Sequence, residues 1–391
     1  MTETLEPRTL VKSPLDETHF RLGAAMIERD GSSVPASYGD RLLEYAAVRE
    51  GGAGLMDLSP RGRILVSGTE AVPFLNGLIT NDMKTLAVGR WMPAAFPNVQ
   101  GRLIASVRVI RLSDEGKGRG TDKNVCPTFL IDTAAATHER VLKTIERFTL
   151  AGDFRVSDIT NQTALISVQG RKAVDIVRAV LGEEAASIGI NRAKHVEQVI
   201  PATVTISGGI TVWRGSHTGE SGFELMLNAE DAAGLWLALE QAGARPVGQE
   251  AFELLRIEAG QPEYGVDMDE TNIVTEALDD AVSYTKGCYL GQEIIARIKY
   301  RGHVAKKLSG IAFTAAVRVE AGALITSADG KEVGRVTSAT YSYHLGHTIA
   351  LAYLKYDYLT PETPVRVISG DKELPGHVTE LPFVPNREFS L

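Results

Sequence analysis

The sequence predicts an α+β chain in which two similar mixed lobes are followed by a small antiparallel barrel. Three observations support this. The chain has 391 residues, too many for one ordinary hydrophobic core. Two blocks share the order strand, helix, strand, strand, helix. After Arg301-Gly302 the text changes to short apolar runs separated by turn signals.

The first eighteen residues are polar, contain two prolines and read as a loose leader. Asp40 then caps an amphipathic helix over Arg41–Arg49, which Gly51, Gly52 and Gly54 stop. The first block opens on a strand at 63–68 and a helix at 70–78. Strands at 103–112 and 128–132 and a helix at 134–147 complete it. The second block places strands at 164–170, 210–213 and 223–227, with helices at 172–181 and 229–242. Each block has the opening order of a ferredoxin-like split βαβ unit. The insert Asp114–Asp122 is rich in glycine and charge and reads as an exposed hairpin tip. Beyond residue 302, runs at 308–313, 323–325, 332–338, 349–354 and 364–368 predict barrel strands. Ala328-Asp329-Gly330-Lys331 marks a hairpin turn. The domains expected are therefore 1–18, 19–302 and 303–391.

Composition excludes several function classes. Hydrophobic residues make up 44% and charged residues 23%, as in soluble globular proteins. A net charge of −8 argues against a broad nucleic-acid surface. No apolar run is long enough to span a bilayer, and the first residues lack the apolar core of a secretory signal. Two cysteines with no paired spacing fit a reducing compartment, so a cytoplasmic location is expected. The chain alone cannot supply the usual four thiolates of an iron–sulfur cluster. The histidines do not suggest a metal site; His344 and His347 read as surface residues of the barrel.

The most distinctive text is Lys286-Gly287-Cys288-Tyr289-Leu290-Gly291-Gln292-Glu293. A thiol between glycines and beside a lysine reads as a presented group whose thiolate fraction the cation raises. A small buried hydrophobe is the equally weighted alternative. With Ala296-Arg297 and Arg301-Gly302, this string resembles the signature of the YgfZ family, folate-binding proteins tied to iron–sulfur cluster maintenance.

The rest of the chain resembles the glycine-cleavage T-protein, a folate-dependent aminomethyltransferase. The matching text includes His19–Met26, Val34–Tyr38, Ala53–Ser59, Thr218–Glu224, Arg256–Gly260, Tyr264-Gly265 and Met268–Glu270. The resemblance implies a three-lobed ring of two split-βαβ lobes plus the barrel, with tetrahydrofolate, or a one-carbon derivative of it, in a central channel. It carries a pteridine-reading carboxylate over to Glu220 and a folate-facing guanidinium to Arg256. It lets Tyr264 pack on the ligand. Without it, these residues read as a turn carboxylate, a salt-bridge partner and a core aromatic.

One departure bears on activity. T-proteins carry a G-G-I-x-D-D segment whose first carboxylate assists one-carbon transfer. Here the segment reads Gly101-Arg102-Leu103-Ile104-Ala105-Ser106, and alanine can neither accept a proton nor stabilise a cation. Arg29-Asp30-Gly31 also stands where the family has an aromatic Gly-Trp.

The resemblances together imply a YgfZ-type folate-binding protein that supports iron–sulfur clusters, with Cys288 as its functional thiol. Its partners would be folate and iron–sulfur client or assembly proteins. The alternative is a tetrahydrofolate-dependent aminomethyltransferase or related demethylase, with Asp82 as the nearest replacement acid. A non-catalytic interaction module with a vestigial pocket is the third reading.

Overall fold

The computed structural model describes residues 10–114, 126–147, 149, 152–196 and 209–385. Apart from Asp114, the expected hairpin tip at 114–122 lies outside the described residues.

The first lobe is a five-stranded antiparallel sheet. Its order is Arg90–Pro97, Leu103–Ser113, Thr128–Thr133, Gly62–Ser67 and Arg155–Asp158. Helices Ala71–Leu78 and Ala135–Glu146 cover it, with Ile64, Leu75, Phe96, Val109, Phe129 and Ile131 buried between. The second lobe is six-stranded, in the order Ala193–Val196, Ile210–Arg214, Gly222–Asn228, Thr163–Gln169, Gly54–Asp57 and Arg245–Pro246. Helices Ala173–Leu181 and Ala232–Gln241 bury Leu55, Val168, Val177, Phe223 and Trp236 against it.

The lobes interleave. Gly54–Asp57 precedes the first block in the chain, yet pairs with Thr163–Gln169 of the second. Strand pairing depends on which apolar faces meet in space, so local pattern does not reveal this exchange.

The barrel is closed and antiparallel, with six strands between Lys306 and Thr379. Closure removes exposed strand edges. The sixth strand, Lys372–Thr379, is not evident from sequence because Pro375 and Gly376 interrupt its pattern. At the hairpin turn, Gly330 has φ +81° and Ser327 N donates to Lys331 O at 2.9 Å.

The leader departs from expectation where it is described. Leu15 is fully buried, Asp16–Arg21 is helical, and Val11 forms an isolated parallel bridge with Ser32. Ser13 and His19 both bond the Asp57 carboxylate, His19 at 2.9 Å. A leucine side chain with a core site to fill and two polar anchors orders the segment despite its polar text. Among the described residues, no helix is long and apolar enough to cross a membrane.

Candidate functional site

The strand Leu103–Ser113 alternates between core and cavity, as period-two geometry requires. Leu103, Ala105 and Val107 are buried, while Ile104, Ser106 and Arg108 are half-buried on the other face. Ser106 and Arg108 line a cavity of about 170 Å³. Ala105 instead packs in the first lobe's core. The residue that matters for chemistry at this strand is therefore Ser106, and the segment supplies no carboxylate to the cavity.

The other walls come from distant segments: Arg61 and Ala134 from the first lobe, His217 from the second, and Phe252, Arg256 and Gln261–Tyr264 from the helix Gln249–Glu258 and the turn after it. A second cavity of about 100 Å³ adjoins it through Arg61, Ala134, His217, Phe252 and Glu263, and adds Arg29 and Asp57.

Behind this wall stands Glu224, fully buried on the strand Gly222–Asn228. One of its oxygens takes the guanidinium of Arg108 and lies 2.9 Å from His217 Nε2. Its second oxygen is buried and has no hydrogen-bond partner among the described residues. Burial raises the Glu224 carboxyl, but Arg108, then His217 and Arg61, more than reverse this and hold it below the ordinary carboxylate range. Burial and the Arg108 charge push His217 down, which favours the neutral ring. A neutral His217 donates from Nε2 to Glu224 and leaves Nδ1 as acceptor, 3.4 Å from Arg108 Nη2. Arg61 is fixed by a two-point bond to Asp132 at 2.7 and 2.8 Å.

The sequence-derived residues divide. Tyr264 lines the cavity, and its hydroxyl accepts from Arg140 at 3.0 Å. Arg256 also reaches the wall, but its donors are engaged by Glu253, Asp267, the Gln261 carbonyl and Ser338 of the barrel. It therefore ties the lobe to the barrel as well as facing the cavity. Glu220 lies away from the lining. Arg49 Nη1 donates to it at 2.7 Å, and both side chains are 1% exposed. Arg49 also pairs with Glu258 at 2.9 Å. Asp82 sits in a turn, where it accepts from Lys84 N at 3.0 Å, and does not line either cavity.

Cys288 is exposed and lies outside both cavity linings. Lys286 does not serve it. The Lys286 ammonium turns inward and donates to the carbonyls of Asn76, Ile79 and Asn81 at 2.7–2.8 Å. Burial pushes it down to about 8. Gly291, at φ +77°, meets the loop that leads into Leu103–Ser113; a Cβ there would stand 2.4 Å from Asn98 O. The octapeptide is thus packed against the segment that carries Ser106.

Comparison with known proteins matches this architecture end to end. The GCVT N-terminal domain matches residues 15–286, and the glycine cleavage T-protein C-terminal barrel domain matches residues 306–385. The chain belongs to the glycine-cleavage T-protein family. Within that family, it is 34% identical over 377 residues to an aminomethyltransferase of Thermus thermophilus, covering 96% of this chain and 99% of the relative. An aminomethyltransferase of Thermotoga neapolitana is 31% identical over 378 residues, covering 95% and 97%. The crystal structure of the glycine cleavage system aminomethyltransferase T from Bartonella henselae superposes with a TM-score of 0.84 at 23% identity. It covers 97% of this chain and 99% of that one, and shares its fold.

Reasoning from sequence missed Glu224, His217, Arg108, Arg61 and Glu263. Arg108 was within reach, since it lies two residues beyond Ser106 on the same strand face. Glu263 carries no local signal at all.

Proposed function

We propose that this T-protein family member is a tetrahydrofolate-dependent one-carbon transferase of aminomethyltransferase type, and that folate occupies the paired cavities. The observation that carries this reading is the buried Glu224 oxygen without a partner, on a carboxylate whose other oxygen is bound to Arg108 and His217 of the cavity wall. A buried carboxylate oxygen left unbonded is costly. A pteridine edge presents an N–H and an amino group, the donor pair that a carboxylate accepts best. Tyr264, Phe252 and Met268 supply apolar surface for a flat ring. Because Glu224 is fully covered, binding takes the Arg108 or His217 side chain aside.

Bound tetrahydrofolate would supply the nucleophilic nitrogen that accepts the one-carbon unit. The chain's own residues orient that ring and limit water in the cavity. Calorimetric titration should show saturable tetrahydrofolate binding. A one-carbon unit should then pass to it from an aminomethylated lipoyl carrier. A well-folded chain that binds no tetrahydrofolate sinks this reading.

A second reading rests on the exposed Cys288 and on Ser106 in place of a carboxylate: folate binding in the service of iron–sulfur cluster maintenance. The aminomethyltransferase names of the relatives favour transfer over it. It predicts lowered activity of cluster-dependent enzymes in cells whose only copy is Cys288→Ser. Full activity in such cells counts against it.

A further inference from the structure

The strand that faces the cavity carries Ser106, so a proton carrier for the chemistry must come from elsewhere. Among the described residues lining the larger cavity, Glu263 is the one carboxylic acid. It lines the adjoining cavity too. Its side chain is 23% exposed, so it is accessible to a ligand but largely desolvated.

The surroundings of Glu263 define its state. Arg29, from the hairpin strand Ala25–Arg29, forms an ion pair with it. Arg256 Nε lies 3.3 Å away, on the helix Gln249–Glu258. Glu253, from the same helix, shares both arginines. Asp267 accepts the Glu263 backbone N–H at 3.0 Å and takes Arg256 Nη1 at 2.7 Å. Arg61 and His217 face it across the shared lining, and Asp30 and Asp57 line the adjoining cavity; Arg61 is held by Asp132 and Asp57 by His19, so neither enters the balance around Glu263. Two arginines thus serve three carboxylates, an excess of one negative charge in a desolvated place. Protonation of one carboxyl relieves it, and Glu263 is the member that lines the larger cavity. Burial first, with the Glu253 charge adding to it, raises Glu263 above the ordinary glutamate range, while Arg29 and Arg256 act the other way.

We infer that Glu263 is the proton-transferring carboxyl of one-carbon transfer in this cavity, a part for which Ala105 and Ser106 offer no carboxylate. The inference rests on the transferase reading. In the step, the accepting amine N–H nitrogen forms a bond to the one-carbon unit, and the bond from that unit to the donor heteroatom breaks with its electron pair. Glu263 gives its proton to the departing heteroatom and takes the amine proton in its place. No electrons are gained or lost overall, and the carboxyl ends as it began.

The test uses the full chain and Glu263→Gln, which keeps the shape but cannot carry the proton. Tetrahydrofolate affinity should hold in this variant, while kcat falls about 10²-fold or more, the range for a lost acid–base group. An infrared difference spectrum between the wild type and the variant, without ligand, should show a protonated carboxyl persisting to higher pH than an ordinary glutamate, whose pKa is about 4.3. Turnover unchanged in Glu263→Gln, or no such carboxyl in the wild type, overturns the inference while leaving folate binding intact. A wild-type chain that binds no tetrahydrofolate overturns the transferase reading and this one with it.

Discussion

Arg49 Nη1 and Glu220 Oε1 lie 2.7 Å apart, both side chains buried, 171 positions apart in the chain. That pair separates the two glutamates of the Thr218–Glu224 segment. Glu220 joins helix Arg41–Arg49 to the second lobe, whereas Glu224 stands behind the cavity. Breaking a buried ion pair from one side costs about 3–5 kcal/mol, and Arg49 retains Glu258. Glu220→Ala should therefore lower unfolding free energy by about 3 kcal/mol in urea. Glu224→Gln should instead weaken tetrahydrofolate about tenfold to a hundredfold, the equivalent of one charge-assisted contact. Calorimetry paired with denaturation on both variants distinguishes the roles, and a reversed outcome returns the pteridine contact to Glu220.

Acid should release the leader. Burial acts to raise Asp57, but the bonds from His19, Ser13 and Ser59 outweigh it and the carboxyl is lowered. A carboxyl depressed in the folded state contributes stability that is present above its unfolded value, about 3.9, and is lost as pH falls through the folded value. Thermal midpoints of the wild type should thus drop more steeply below about pH 4 than those of Asp57→Asn. Parallel curves would show that this carboxylate has no part in acid sensitivity.

The octapeptide glycines should respond differently. Gly291 has φ +77° and abuts Asn98 O, whereas a Cβ at Gly287 meets nothing within 4 Å. Gly291→Ala should cost at least about 1–3 kcal/mol and disturb the loop leading to Ser106. Gly287→Ala should leave the melting temperature nearly unchanged. Equal losses in the two variants would mean that the close approach to Asn98 is not what constrains this turn.

Thiol labelling of the native chain should modify Cys288 quickly and the half-buried Cys126 more slowly. Cys288→Ser should retain tetrahydrofolate affinity, because Cys288 lies outside both cavity linings. A large loss of affinity in that variant would place the octapeptide in the folate site.

The sequence by itself determined the strand, helix, strand, strand, helix order inside each block, the capped helix at Arg41–Arg49, five of the six barrel strands and the octapeptide. Each depends on residues a few positions apart, through a period of two or 3.6, a cap or a glycine turn. The sequence did not determine the strands Gly54–Asp57, Arg90–Pro97, Arg155–Asp158 and Ala193–Val196 of the two sheets. Tertiary structure alone decided that Gly54–Asp57 joins the second lobe, that Glu224 rather than Glu220 bonds the cavity-lining Arg108 and His217, and that Lys286 serves carbonyls instead of Cys288. It also brought Glu263 to Arg29, although the two are 234 positions apart by their numbers (263 − 29). Burial and ion pairing are set by what distant segments place around a group. A carboxylate four residues along the chain can therefore have a different partner, a different charge balance and a different task.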